Sequence, residues 1–393
     1  MQKKKILFVI HQLNYGGVQK ALLSALNAID YSQNEVVLYV RKNRVDLLGE
    51  VNPNVSKIIV NEDRTHYYRK PYIIWLTLCE KTCRLLGKKD KAESVNQKLV
   101  TYFNQVKMQY EKKHYFCDEE EYDVVISYIQ GYTAQFVAEY IRAKKKIMFY
   151  HGSTDETHEL HEKIMGNFDK VVGVNEGVQN VLKGLYPKFA DKMTYIENYV
   201  DAEEVRQKSQ EYQIEKKDVD FVLCTCGRLT PVKGFDLAIK AARILKENNT
   251  SFLWYFVGDG PEREKLEKMI AGNSLGEYIE ITGMLDNPYP YIANCDIYVQ
   301  SSYEEAHPLA IIEAQILNHP VVTTNTVGGN ALIEENANGK IVKINAVELS
   351  LGIEFLLSAP EKILEMSTYL QSVDYSNAWK VYNQKWEKIL EVK

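Results

Sequence analysis

Residues 221–261 read FVLCTCGRLTPVKGFDLAIKAARILKENNTSFLWYFVGDGP. Two short runs rich in Val, Leu, Phe, Tyr and Trp bracket a segment whose apolar residues recur at helical spacing, and each run stops at a glycine. A strand, a helix and a strand in so short a span read as one βαβ unit, with the strands parallel and the helix crossing over between them. The same rhythm extends in both directions. Apolar β-rich runs fall at 6–10, 35–40, 56–60, 123–129, 146–150 and 170–174, and again at 221–226, 253–257, 278–282, 296–300, 321–324 and 340–343. Nearly all are followed by a helix-period segment. Two series of six strands predict an α/β protein with two Rossmann-like, doubly wound parallel sheets facing across a cleft.

Composition agrees. The chain has 393 residues, 45% apolar and 26% charged, which suits a globular protein of about two to three domains and excludes a disordered tail or a small disulfide scaffold. Charge is uneven: residues 1–196 carry 29 Lys/Arg against 23 Asp/Glu, a net of +6, and residues 197–393 carry 19 against 30, a net of −11. The first series ends before a polar stretch at 197–220, whose charge density predicts an exposed linker. The expected organisation is therefore a first domain at 1–197, a second at 198–375, and a final helix at 376–393. Residues 64–121 hold no strand candidate and read as two or three helices inserted in the first sheet. Within them Tyr72, Ile73, Trp75, Leu76 and Leu78, flanked by Arg69, Lys70, Lys81, Arg84, Lys88 and Lys89, could form an interfacial amphipathic helix on an anionic membrane, or an ordinary core-facing helix.

No apolar run is long enough to span a bilayer, and 6–10 is too short for a signal-peptide core, so the sequence predicts a cytoplasmic protein, with contact at the inner membrane face as the one membrane role left open. Cys79, Cys83, Cys117, Cys224, Cys226 and Cys295 form neither a disulfide framework nor a paired zinc motif, and Cys224 and Cys226 are expected as buried thiols. The basic residues of the insertion are interleaved with acids, with no nucleic-acid recognition motif among them.

Ligands of open α/β sheets bind beyond the carboxyl ends of the strands, so the residues there carry the chemistry. After the first strand come Gly16 and Gly17, opening a helix whose free N–H groups can meet an oxyanion. This turn lacks the third glycine of a dinucleotide fingerprint, and the second strand ends in basic Arg41-Lys42, not an acid. Arg228 and Lys233 follow the strand at 221–226. A planar fork and a mobile point charge together suit a nucleotide diphosphate without a metal. The strand at 253–257 runs into Gly258-Asp259-Gly260-Pro261, where the glycines permit close backbone approach and Pro261 suits a first helical turn. Beyond 296–300, Glu305 sits in a loop and Glu313 eight positions on in a helix, a pair able to span one ligand.

In combination these motifs are specific. Gly16-Gly17, Gly-Arg-Leu with Lys233-Gly234, Val-Gly-Asp-Gly-Pro, Glu305-x7-Glu313 and Val327-Gly328-Gly329 occur in the order of the retaining glycosyltransferases of family 4 (glycosyl transferases group 1), which the chain resembles over nearly its whole length. Tyr150-His151-Gly152, Val174-Asn175-Glu176 and 196–201 (IENYVD) agree as well. The resemblance implies the B-type, two-Rossmann fold (GT-B). It implies transfer of a sugar, with retention, from a nucleotide-diphosphate donor, by family habit a UDP-sugar, to a hydroxyl of a saccharide or lipid-linked acceptor. No cofactor or metal is expected beyond that co-substrate. The implied roles are Arg228 and Lys233 on the diphosphate, Glu313 on the ribose, and Glu305 with His307, Pro308 and Leu309 beside the donor sugar. Gly16, Gly17 and Gly258 would lie against the donor or acceptor, and His151 near the reacting centre. Glu305-Ala306-His307-Pro308 stands where the family often has Glu-Gly-Phe-Gly or Glu-Gly-Phe-Pro, which predicts an unusual sugar pocket in which His307 meets the sugar or only packs, and Leu332 stands where a carboxylate usually follows the paired glycines, with Glu334 and Glu335 later. A basic, aromatic-rich first domain suits cell-surface polysaccharide or glycolipid synthesis. Two other outcomes stay open: a nucleotide-sugar epimerase on a similar scaffold, and a non-catalytic subunit of a polysaccharide-assembly complex.

Overall fold

The computed structural model describes residues 3–62, 71–85, 89–116, 121–153 and 158–392. Its strands form two all-parallel sheets. The first takes β1 (Lys4–Ile10), β2 (Asn34–Val40), β3 (Lys57–Val60), β4 (Tyr122–Ser127), β5 (Ala143–Tyr150), β6 (Lys170–Gly173) and β7 (Met193–Tyr195) in the order β3-β2-β1-β4-β5-β6-β7. The second takes β8 (Phe221–Cys226), β9 (Phe252–Val257), β10 (Ile279–Gly283), β11 (Ile297–Gln300), β12 (Val321–Thr324) and β13 (Gly339–Val342) in the order β10-β9-β8-β11-β12-β13. Helices cover both faces, which is why the strands read as continuous apolar runs: all six residues of β9 are buried. In each sheet the order reverses beside the first strand, between β1 and β4 and between β8 and β11, and this is where a doubly wound fold opens its crevice.

Three expectations change. The first sheet has seven strands, not six, because the three residues Met193–Tyr195 pair with β6 without any apolar run to announce them. The stretch expected as an exposed linker holds the helix Ala202–Lys208, capped by Asp201, which buries Ala202 and Val205 against the second domain's core. Pro261 precedes the helix Arg263–Gly272 and does not lie in its first turn.

The inserted segment supplies the helices Pro71–Leu85 and Lys89–Tyr115, which pack on each other. Met108 joins the first domain's core. A buried ion pair fixes the longer helix to the sheet: Arg41, just after β2, donates from Nε (3.0 Å) and Nη2 (2.7 Å) to Glu111 Oε2, and Asn61, just after β3, donates to Oε1 at 2.9 Å. On the shorter helix Ile74, Trp75 and Leu78 are exposed and Leu76 is buried. The side chains of Tyr72, Ile73, Arg69, Lys70, Lys88 and Lys89, like Cys117, lie outside the described residues. Among the described residues no helix is long and apolar enough to cross a membrane.

The helix Ala378–Leu390 buries Tyr382, Trp386, Ile389 and Leu390 in the core formed by β1, β2, β4 and β5. Trp386 lies between Phe8 (5.9 Å between centroids) and Phe149 (5.2 Å, 8° between planes).

Candidate functional site

The carboxyl ends of β8 and β9 meet through glycine. Gly258 has φ +145°, and a Cβ there would sit 2.0 Å from the Gly227 carbonyl oxygen. Gly234, at φ +65°, would likewise press on Ser301 O at 2.0 Å. The first contact holds the start of the turn from Gly227 to Gly234 against the end of β9, and the second holds its end against the start of the loop after β11. The 3-10 turn Pro231–Lys233 then aims Lys233 at Glu305, with Nζ 2.5 Å from Oε1. Ser302 Oγ (2.8 Å) and Gln300 Nε2 (3.0 Å) donate to the same oxygen. Glu305 is 8% exposed, so one cation and two neutral donors fix a nearly buried carboxylate. Arg228, on the same turn, is exposed and its guanidinium has no hydrogen-bond or ion-pair partner among the described residues.

Glu313 lies on the helix Leu309–Ile316, which Pro308 precedes and the buried Leu309 begins. It is 4% exposed and accepts from Tyr289 Oη at 3.1 Å and Lys20 Nζ at 3.3 Å. Lys20 comes from the other domain, one turn into the helix Gly17–Asn27 that Gly16 caps. The carboxylate holds the Lys20 ammonium in its charged form, well above the ordinary lysine range. Burial first, and then Glu313, push the Cys226 thiol up to about 12, so it stays protonated.

More bonds cross the cleft on the loop between Gln300 and the Glu313 helix. Ser153 Oγ donates to Glu304 at 2.9 Å. Asn175 caps the helix Glu176–Leu185 by accepting from Val178 N, and with its Nδ2 donates to Ala306 O at 2.6 Å. The same Nδ2 lies 3.3 Å from His307 Nδ1. His307 and His151, which follows β5, face the cleft from opposite domains, and Nε2 of each is buried with no hydrogen-bond partner among the described residues. Desolvation holds both imidazoles neutral, with His151 lowered to about 3 and His307 to about 4. His151 packs on Tyr128 at 5.1 Å, which stacks on Phe149 and so leads back to Trp386.

Of the residues singled out in the sequence, Arg228, Lys233, Glu305, His307, Pro308, Leu309, Glu313 and Gly258 therefore follow strands of the second sheet beside its switch point, and Gly16, Gly17 and His151 follow strands of the first. Glu334 and Glu335 serve the surface instead, accepting from Tyr369 Oη and pairing with Lys340. Sequence reasoning passed over Lys20, Tyr289, Gln300, Ser302 and Ser153. Asn175 carried a visible signal, an Asn directly before a helical pattern; Lys20, Tyr289 and Ser153 act across long sequence separations and carry none, while Gln300 and Ser302 stand only five and three positions before Glu305.

Residues 206–372 match the family described as glycosyl transferases group 1. They form a group 1 glycosyl transferase domain. This group 1 domain includes every second-sheet residue named above. The chain is 30% identical over 156 residues to the alpha-D-kanosaminyltransferase of Streptomyces kanamyceticus, covering 38% of this chain and 40% of that protein. It is 24% identical over 199 residues to the poly(ribitol-phosphate) alpha-N-acetylglucosaminyltransferase of Staphylococcus aureus, covering 49% and 39%. The chain spans less than two thirds of the length of the curated relatives it matches. Among solved structures, Anabaena HepE in complex with UDP-glucose superposes with a TM-score of 0.71 at 16% identity, covering 98% of this chain and 99% of that one. The group 1 domain and the domain before it thus make up the GT-B fold.

Proposed function

We propose that the chain is a retaining, metal-independent glycosyltransferase that moves a sugar from a UDP-sugar to a hydroxyl of a saccharide or lipid-linked acceptor, in cell-surface polysaccharide or glycolipid synthesis. The observation that carries this reading is the pair of cations on the turn after β8, where the Arg228 guanidinium has no partner among the described residues and Lys233 bridges to Glu305. Anions of the size of a diphosphate suit such a pair, and the relative named for N-acetylglucosaminyl transfer to poly(ribitol-phosphate) supports the polymer acceptor.

In the proposed reaction the bond between the anomeric carbon and the diphosphate breaks with its electrons on the diphosphate, the acceptor oxygen bonds to that carbon, and the acceptor's hydroxyl proton passes to the departing diphosphate oxygen. Charge grows on the leaving group, so fixed cations there stabilise the transition state more than the ground state. Arg228 offers two parallel N–H groups and Lys233 a point charge. Glu313 accepts from the ribose hydroxyls, and Gly16 and Gly17 leave the N–H groups of their helix open to a phosphate or the acceptor. Glu305, held by Ser302 and Gln300, stands beside the donor sugar with His307. His151, neutral at physiological pH, hydrogen-bonds near the reacting centre without adding charge. Work at the cytoplasmic face of a membrane would draw on the exposed Ile74, Trp75 and Leu78.

The test is the melting midpoint with UDP, GDP, CDP and ADP, with and without EDTA. A nucleotide at 100 times its dissociation constant adds about 2.7 kcal/mol. UDP is expected to raise the midpoint equally with and without EDTA, and Lys233→Ala to lose about 1.5–3 kcal/mol of that binding. No shift with any nucleotide overturns the donor assignment, and a shift abolished by EDTA overturns metal independence.

A further inference from the structure

The Lys20–Glu313 pair joins two domains at a carboxylate that the reading above assigns to the ribose. Glu313 is nearly buried, and both of its named partners, Tyr289 Oη and Lys20 Nζ, lie on the same oxygen, Oε1. A buried carboxylate needs such a counter-charge. Lys20 itself is half-exposed, with 41% of its side chain accessible, and its ammonium stands 5.4 Å from the Tyr289 ring centre. The Cys226 thiol, the last residue of β8, feels Glu313, Lys20 and Lys233 together, so Lys20 reaches the strand end from which Arg228 and Lys233 project.

Counting charges around that strand end gives two cations, Arg228 and Lys233, against two carboxylates, Glu305 and Glu313. Without Lys20 the set is neutral, although it is to receive a diphosphate that becomes more negative as the sugar leaves. Ribose hydroxyls are neutral donors: they can fill Glu313 Oε2, which neither named partner touches, and compete with Lys20 for Oε1, but they bring no charge to balance the carboxylate. A lysine ammonium on a flexible stem can move between two anions where an arginine fork would be fixed by geometry.

We propose that Lys20 is a ligand of the donor's diphosphate supplied by the first domain: it neutralises Glu313 while the site is free of nucleotide, and it passes to the diphosphate when the ribose engages Glu313. Lys20 then has two functions. It keeps a buried carboxylate paired between turnovers, and it brings a third cation to the leaving group only when the domains are together. The inference rests on the assignment of Glu313 to the ribose and of Arg228 and Lys233 to the diphosphate.

Isothermal titration with UDP of the wild type, Lys20→Met, Glu313→Gln and the double variant tests it, because Glu313→Gln removes the buried charge that Lys20 balances. Lys20→Met is expected to weaken UDP by about tenfold in both backgrounds, since a charge-assisted contact is lost whether or not Glu313 is charged. A loss confined to the background with intact Glu313 means that Lys20 acts only through that carboxylate and overturns the proposal, as does no loss in either. Lys233→Ala separates the two levels. If Lys233→Ala weakens UDP and Lys20→Met does not, this inference alone fails; if UDP does not bind the wild type, the donor reading fails and takes this inference with it. Should Lys20→Met alone not fold, the comparison of Glu313→Gln with the double variant decides.

Discussion

Glu111→Gln is the substitution whose cost follows most directly from the structure. Arg41 and Glu111 are 2% and 0% exposed. Two of the guanidinium N–H groups end on Glu111 Oε2, a third donates to Tyr132 O at 2.7 Å, and the plane lies 4.8 Å from the Phe136 ring centre. An amide of the same size leaves the packing intact and removes only the negative charge, so the guanidinium stays buried without a counter-ion. Breaking one side of a buried pair costs about 3–5 kcal/mol. In a domain of some two hundred residues each kcal/mol moves the midpoint by about 2–4 °C, which makes the expected loss about 6–20 °C. Replacing both partners by apolar residues, Arg41→Met with Glu111→Leu, is expected to recover most of that loss, because the desolvation of both charges disappears with the pair. Scanning calorimetry of the wild type, the single variant and the double variant reads both numbers. A Glu111→Gln midpoint within about 2 °C of wild type refutes the counter-ion argument, and a double variant as damaged as the single refutes the desolvation argument.

Two further outcomes follow from buried groups. Trp386→Ala opens a cavity between Phe8 and Phe149 and is expected to cost the first domain about 3–5 kcal/mol in urea unfolding; a loss under about 1 kcal/mol would mean that the final helix contributes little to that core. His151, lowered to about 3, and His307 and His319, each lowered to about 4, stay neutral in the fold but take a proton below about 6.5 when unfolded. The unfolded state therefore gains protons first, and stability is complete above pH 6.5 and falls towards pH 4 by about 1.4 kcal/mol per unit for each histidine. Melting midpoints between pH 7.5 and 4.5 for the wild type and His319→Gln check this, with a shallower slope in the variant; parallel curves would count against it.

The parts that could be read in the sequence are those with a period or a local partner. A strand buried on both faces, such as β9, writes itself as six consecutive apolar residues. The three residues of β7 do not, since their pairing depends on β6 already being in place. The helix at Ala202–Lys208 was hidden by its own charges: only Ala202 and Val205 face inward, three apart, and the other side chains dominate the composition. In the sequence Arg41 is simply part of a basic strand end. It is buried because Glu111, seventy positions away, neutralises it. The same holds at the candidate site, where Glu305 and Glu313 could be found from their spacing but the donors that hold them could not. Lys20 and Glu313 are separated by 293 positions, and nothing local marks either as the other's partner.

The return of the final helix to the first domain sets a schedule for making the protein. Phe8 and Trp386 touch, although 378 residues separate them. At about 5–20 residues per second, the strand waits about twenty to seventy-five seconds during synthesis for the ring that completes its core. The second sheet is spared this delay, because all its strands lie between Phe221 and Val342. On a ribosome the later half can thus finish before the earlier one, and a chain stopped short of Trp386 would carry an intact group 1 domain beside a first domain with an open, apolar gap, the kind of surface that chaperones and proteases recognise.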